Sequence, residues 1–277
     1  MNDRPAGRPG TSQDDPAEPD LSRPSIARVY DYVLGGKQHF EIDRRAAQGF
    51  IDALPDAPVI AKDNRNLLRR GVRYLVEEAG VRQILDIGSG LPTEGNVHEL
   101  AHAIAPATRV VYVDNDPGVL AHGRALLAKD ATTEVITADL RNPAAILADP
   151  TVTGLIDLSQ PFALLLSGIV QHLADDEDPY GIVATLRDRL PVGSYMLLSH
   201  FLDDDEPRAA KLENGFLQGG LGTGRFRTWD EIRRFFDGLD MVEPGLVYAN
   251  DWRPDAATPT DSPVHTLYAG GIGRRAG

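Results

Sequence analysis

The residues best placed to do chemistry form a short run in the middle of the chain. This is Asp86-Ile87-Gly88-Ser89-Gly90, and Asp114 follows 24 positions after Gly90. Alternate glycines let the backbone turn sharply and let a ligand approach N–H groups with no Cβ in the way. Asp114, with Asn115 beside it, is placed to accept hydrogen bonds from ribose hydroxyls, and Asp139, followed by Leu140, can reach a ring or amino group of an adenine. Ser167, His172 and His200 add a hydroxyl and two imidazoles, either of which could deprotonate a substrate hydroxyl or amine. On a plainer reading the glycines make only a turn, Asp114 caps a helix and the histidines are structural. The nucleotide reading is preferred because the glycines and the acid stand at the spacing of a nucleotide-binding βαβ unit.

The neighbouring residues choose among nucleotide-like ligands. A dinucleotide fingerprint needs a third glycine where this chain has Thr93, and Pro92 crowds the loop that would carry a pyrophosphate. Asp86 would repel a pyrophosphate but suits a cationic amino group or a sulfonium. These residues favour S-adenosylmethionine over NAD.

Elements of the right kind surround these positions. Residues 83–87, 110–114, 134–138, 162–166 and 194–201 read as strands, each delivering one of the polar residues at or just past its carboxyl end. The fourth is apolar throughout, as a central parallel strand covered on both faces must be. Helical patterns alternate with them: 96–105, one opening at Asp116-Pro117, and one from Asp178-Pro179 through Leu190. With strand candidates at 241–248 and 265–271, the expectation is an α/β chain with a Rossmann-like, doubly wound, seven-stranded sheet. Residues 1–20 read as a disordered tail, 21–80 as a helical cap, and 81–277 as the ligand-binding core with a helical insertion at about 203–238. Thr228 and Glu231 form a capping box within that insertion.

Composition removes whole classes of function. A net charge of −13 argues against a nucleic-acid substrate, which needs clustered Lys and Arg to displace counterions. Cysteine is absent, so disulfides and thiolate metal sites are excluded. The acidic runs Asp175-Asp176-Glu177-Asp178 and Asp203-Asp204-Asp205-Glu206 read as solvated loops, and no metal is expected. The longest apolar run, 162–170, is too short for a membrane helix, and the N-terminus lacks the apolar stretch of a signal peptide. A cytoplasmic protein is expected, and a preference for Arg over Lys suits a GC-rich bacterial genome. Nothing in the sequence specifies an oligomer.

Several stretches resemble a known family. Asp86-Ile87-Gly88-Ser89-Gly90 resembles the first motif of class I methyltransferases, and Tyr112-Val113-Asp114-Asn115-Asp116-Pro117 their second. Residues 25–37, with His39, Phe40 and Asp43, resemble the opening of an actinobacterial S-adenosyl methyltransferase family once known as a domain of unknown function. The likeness continues through Phe235-Phe236-Asp237-Gly238-Leu239 and Trp252-Arg253-Pro254, covering about residues 22–275. It implies a class I fold and S-adenosylmethionine as cofactor, with a small-molecule methyl acceptor that it does not name. Residues 30–40 are expected to close over the cofactor. Tyr30 offers an aromatic face to the sulfonium, Gly35 and Gly36 let the chain pass close, and His39 adds a polar contact. The alternatives are an NAD(P)-dependent oxidoreductase, disfavoured by the lack of a Tyr-x-x-x-Lys pair, and a cofactor-binding regulator without turnover.

Overall fold

The structure is a computed structural model that describes residues 20–92, 95–127 and 130–277. The tail expected over residues 1–20 therefore lies, apart from Asp20, outside the described residues, as does Thr93. The sheet is built from runs apolar enough to be covered on both faces. β1 (Gln83–Ile87), β4 (Ala163–Ser167) and β5 (Tyr195–Phe201) are buried almost end to end. With β2 (Arg109–Asp114) and β3 (Thr133–Thr137) they form a parallel array in the order β3-β2-β1-β4-β5. β8 (Tyr268–Arg274) then inserts antiparallel to β5. Two short pieces, β6 (Asp240–Met241) and β7 (Val247–Tyr248), pair with opposite ends of β8. They share one edge, so the sheet is seven strands wide. The strand expected over 241–248 is broken in its middle at Val242–Leu246, and residues 265–267 form a 3-10 turn before β8 begins.

Strand periodicity separates two cores. Ile84, Leu165 and Leu197 face one helical layer, whereas Leu85, Leu164 and Met196 face the other. The helices in chain order are α1 (Ile26–Val33), α2 (Glu41–Ala53), α3 (Ala57–Arg73), α4 (Val97–Ile104), α5 (Pro117–Leu127), α6 (Pro143–Ala148), α7 (Pro150–Leu155), α8 (Pro179–Arg187), α9 (Pro207–Gln218) and α10 (Trp229–Arg233). α3 runs on as a π-helical turn over Tyr74–Glu78 and lies directly on the sheet. Gly71 permits that approach, because a Cβ there would sit 2.3 Å from Leu197 Cδ1. The residues that cover the carboxyl ends of β1, β4 and β5 come from α1, α2, the first half of α3 and α9. Phe50 of α2 stacks on Phe216 of α9 with ring centroids 5.3 Å apart, joining the N-terminal segment to the insertion.

Candidate active site

A crevice opens where the sheet order reverses between β1 and β4, the place an open α/β sheet reserves for ligands. Its floor is the turn after β1. Gly88 and Gly90 adopt φ values of +77° and +69°, and the N–H groups of Gly88 and Ser89 both reach Val113 O of β2. The Gly90 N–H donates to Asp114 Oδ2 at 2.8 Å, and the Asp116 N–H to Oδ1 at 3.0 Å. Asp114 is thereby fixed at the crevice edge with oxygen lone pairs to spare. No atom lies within 4 Å of where a Gly90 Cβ would stand, so the bare backbone faces open space. Ser89 Oγ is buried there without a partner.

Two buried carboxylates set the electrostatics. Burial raises Asp86 to about 7, Arg65 pulling it down and the neighbouring Asp114 charge pushing it up. Burial likewise raises Asp114 to about 6, against hydrogen bonds from Asp116 and Gly90 that favour its ionised form. Carboxylates held this high are stabilised by an incoming cation, and the cradle fits a ligand with a sulfonium or ammonium group. Asp139 and Leu140 line a narrower hollow that shares Gly88, Asp114 and Asn115 with the main crevice. Arg141 bridges its rim, donating to Asp139, to Glu177 and to His172 O.

The other end of the crevice is different in character. Phe50, Ile60, Phe201, Leu212 and Phe216 wall it, while Asn64, Ser167, Gln171 and Tyr268 form a polar floor. Asn64 Oδ1 accepts from Ser167 Oγ at 3.0 Å and from Ser199 Oγ at 2.7 Å. His172 lines both ends. Its Nδ1–H donates to Thr223 O at 3.0 Å, and burial lowers it to about 4, so the ring is neutral with its lone pair on Nε2.

Thus Tyr30, Asp86, Gly88, Ser89, Gly90, Asp114, Asn115, Ser167 and His172 come together on the main crevice, with Asp139 and Leu140 on the adjoining hollow. Tyr30 meets it with its ring, since its hydroxyl donates to Ala61 O and accepts from Asn64. Gly35, Gly36 and His39 lie elsewhere, in the turn between α1 and α2. Gly36 is needed there because a Cβ would fall 2.0 Å from the Asp31 carboxylate, which accepts the Gln38 N–H. His39 donates from Nε2 to Gly36 O and accepts from Arg44. His200 is buried inside the sheet and does not line the crevice. The fully buried Arg227 donates to its Nε2 at 2.9 Å while Nδ1–H reaches Phe201 O, and burial lowers it to about 3. The acidic run at 175–178 is occupied in the same way: Asp175 pairs with Arg225 and Arg227, and Asp178 caps α8. Sequence reasoning missed Asn64, Gln171 and Tyr268. Only Asn64 leaves a trace, as a polar residue on the apolar face that Ile60, Leu67 and Leu68 define.

A parallel sheet ordered 3-2-1-4-5 and completed by an antiparallel strand, with a glycine turn and an acid at the end of the second strand, defines the class I methyltransferase architecture. The chain belongs to the S-adenosyl methyltransferase family, whose model it matches over residues 12–276. It is similar to a Thermobifida fusca protein classed with the methyltransferases, at 47% identity and a TM-score of 0.89 over 93% of this chain and 97% of that one. It is also similar to a DUF574-family protein from Streptomyces avermitilis, at 38% identity and a TM-score of 0.88 over 92% and 99% of the two chains. The fold is shared with a Burkholderia thailandensis 1,6-didemethyltoxoflavin-N1-methyltransferase at 16% identity and a TM-score of 0.50, over 95% and 94% of the two chains. No curated protein matches the chain. The protein is an S-adenosylmethionine-dependent methyltransferase, which decides the choice of cofactor against NAD(P).

Proposed function

We propose that the crevice holds S-adenosylmethionine along β1, β2 and β3 and that the apolar chamber under the cap receives a small-molecule methyl acceptor. When bound, the cofactor supplies a methyl group made electrophilic by its sulfonium. Asp114 and Asn115 hold the ribose, Asp139 and Leu140 frame the adenine, and the Gly88-Ser89-Gly90 turn with Asp86 receives the charged tail. The ring of Tyr30 closes the chamber from above. The chain's remaining task is to align the acceptor and exclude water, which a roof made from α1, α2, the first half of α3 and α9 serves. His172 Nε2 takes the acceptor's proton. We assign no contact with either ligand to His200, Gly35, Gly36 or His39. We place the reaction in an actinobacterial cytoplasm, a reading supported by the Thermobifida and Streptomyces relatives. Among the described residues no helix is long and apolar enough to cross a membrane.

The observation that carries this reading is that the crevice and the hollow of Asp139 adjoin, sharing Gly88, Asp114, Asn115 and His172 in their linings. Calorimetry is expected to show S-adenosylmethionine and S-adenosylhomocysteine binding and NAD not binding. Incubation with methyl-labelled cofactor and a small-molecule cell extract is expected to label a product that mass spectrometry identifies. Binding of NAD with no response to either sulfur ligand would overturn it.

A further inference from the structure

Resting on that reading, the charge pattern of the crevice bears on how the cofactor's amino-acid tail is told apart from a plain cation. Two carboxylates line the crevice, Asp86 and Asp114. Among the described residues that line it, Arg65 is the one fixed positive charge, since His172 is neutral. Helical spacing puts Arg65 there. Ala57, Ile60, Ala61, Asn64, Arg65 and Leu68 recur three and four apart along α3, and all of them line the crevice.

The sheet supplies the opposite wall. Asp86 of β1 and Tyr112 of β2 stand side by side in register. Strand alternation turns both to the face of Ile84 and Val110, which is the face that α3 covers. The Arg65 charge acts on both, favouring the ionised forms of Asp86 and Tyr112, and it acts on Tyr30 of α1 as well. A half-buried guanidinium therefore belongs to the glycine-turn end of the crevice, between α3 and the end of β1.

The cofactor's tail carries an ammonium and a carboxylate on the same carbon. If Asp86 takes the ammonium, the carboxylate must come to rest close by. With only Asp86 and Asp114 to meet, it would be repelled and would lose its hydration with nothing to replace it. A guanidinium removes that penalty, because its planar fork matches a carboxylate with two parallel N–H bonds.

We propose that Arg65 receives the α-carboxylate of the cofactor while Asp86 receives its α-ammonium, so that the crevice selects for the complete amino-acid tail. One charge is read from α3 and the other from β1. A ligand that keeps the adenosine and the ammonium but has lost the carboxylate satisfies only half of the pair and is discriminated against.

The test uses the full chain and calorimetry with two probes, S-adenosylhomocysteine and its decarboxylated analogue S-adenosyl-3-thiopropylamine. The unaltered chain is expected to bind the first at least tenfold more tightly. Arg65→Met should lower S-adenosylhomocysteine affinity to the level of the amine, leave the amine within twofold, and so abolish the preference. Arg65→Lys, which keeps the charge without the fork, should restore part of it. Should Arg65→Met show no cooperative transition by circular dichroism, Arg65→Lys carries the test, with the preference cut at least threefold from that of the unaltered chain. Equal affinities for the two probes in the unaltered chain, a preference that survives in the variants, or an equal loss of both probes would overturn the proposal and leave the methyltransferase reading standing. Failure of the unaltered chain to bind S-adenosylhomocysteine would overturn both.

Discussion

At the scale of single residues, the consequential fact is that Asp86 and Asp114 are buried carboxylates raised to about 7 and about 6. Their folded values lie above their unfolded ones, so the folded protein binds their protons more tightly than the unfolded chain does. The stability they lend is complete below about pH 4 and is lost as pH rises through about 6 to 7. A cationic ligand reverses the slope by favouring the ionised forms. The Tm increment produced by S-adenosylmethionine is therefore expected to grow between pH 5 and pH 8. Asp86→Asn should flatten that growth and weaken cofactor binding roughly tenfold, the scale of one charge-assisted hydrogen bond. A pH-independent increment in the unaltered chain would show that Asp86 does not face the cationic group. Asp86 was legible in the sequence because its strand runs into a glycine turn, and Asp114 because it ends the next strand at the spacing of a βαβ unit. The place of Gly35 and Gly36 was harder to read because a glycine pair beside tyrosines has more than one physical use. Here the bare Cα of Gly36 makes room for the protein's own Asp31. Gln171 and Tyr268 were illegible because nothing local brings the loop after β4 against β8.

Between elements, the N-terminal segment is fastened to the cofactor end of the sheet by one buried cation. Arg28 of α1 donates from Nε to Asp43 of α2 at 2.9 Å and from NH1 to Asp116, just after β2, at 3.1 Å. Asp43 also receives the N–H groups of Ser25 and Phe40, closing the start of α2 over the start of α1. Asp116 lies two residues past Asp114 and donates its N–H to it, so the same contact that seats α1 bears on the Asp114 carboxylate. Arg28→Met leaves two carboxylates buried without their cation, and it should cost about 3–5 kcal/mol of unfolding free energy in urea titrations. Asp116→Asn in that background should recover part of the loss, since it removes one of the stranded charges. Equal stability of Arg28→Met and the unaltered chain would mean that the segment is seated by its apolar contacts alone. The central strands were visible from sequence because residues covered on both faces leave a continuous apolar signature. The relation of the helices to the sheet was not. The stripe along α3 records that one side is buried but carries no information on what covers it, and its partner is the sheet itself.

At the scale of the molecule, one core holds together what the sequence divided at residue 80. The cluster that contains Val29, Phe50 and Leu54 from the first two helices also contains Leu67, Val72 and Leu75 from α3 and its extension. It continues into Ile84, Leu165, Leu197 and Ile272 from the sheet. Residues 57–78 are accordingly one face of the α/β sandwich, while α1 forms mainly a wall of the crevice, through Ile26, Ala27, Val29, Tyr30 and Val33. The two parts should respond differently to removal. A chain beginning at residue 81 leaves Ile84, Leu165 and Leu197 facing water, an apolar loss that a marginal folding free energy cannot absorb. It is expected to show no cooperative thermal transition by circular dichroism. A chain beginning at residue 41 keeps α2, α3 and both sheet faces, so it should retain a transition at lower temperature with unchanged strand content. Without α1 to enclose the ligand, that transition should no longer shift upward when S-adenosylhomocysteine is added. A chain from residue 41 that still responds to the ligand would show that α1 is scaffold alone. A cooperative transition in the chain from residue 81 would show that the sheet carries a sufficient core without α3.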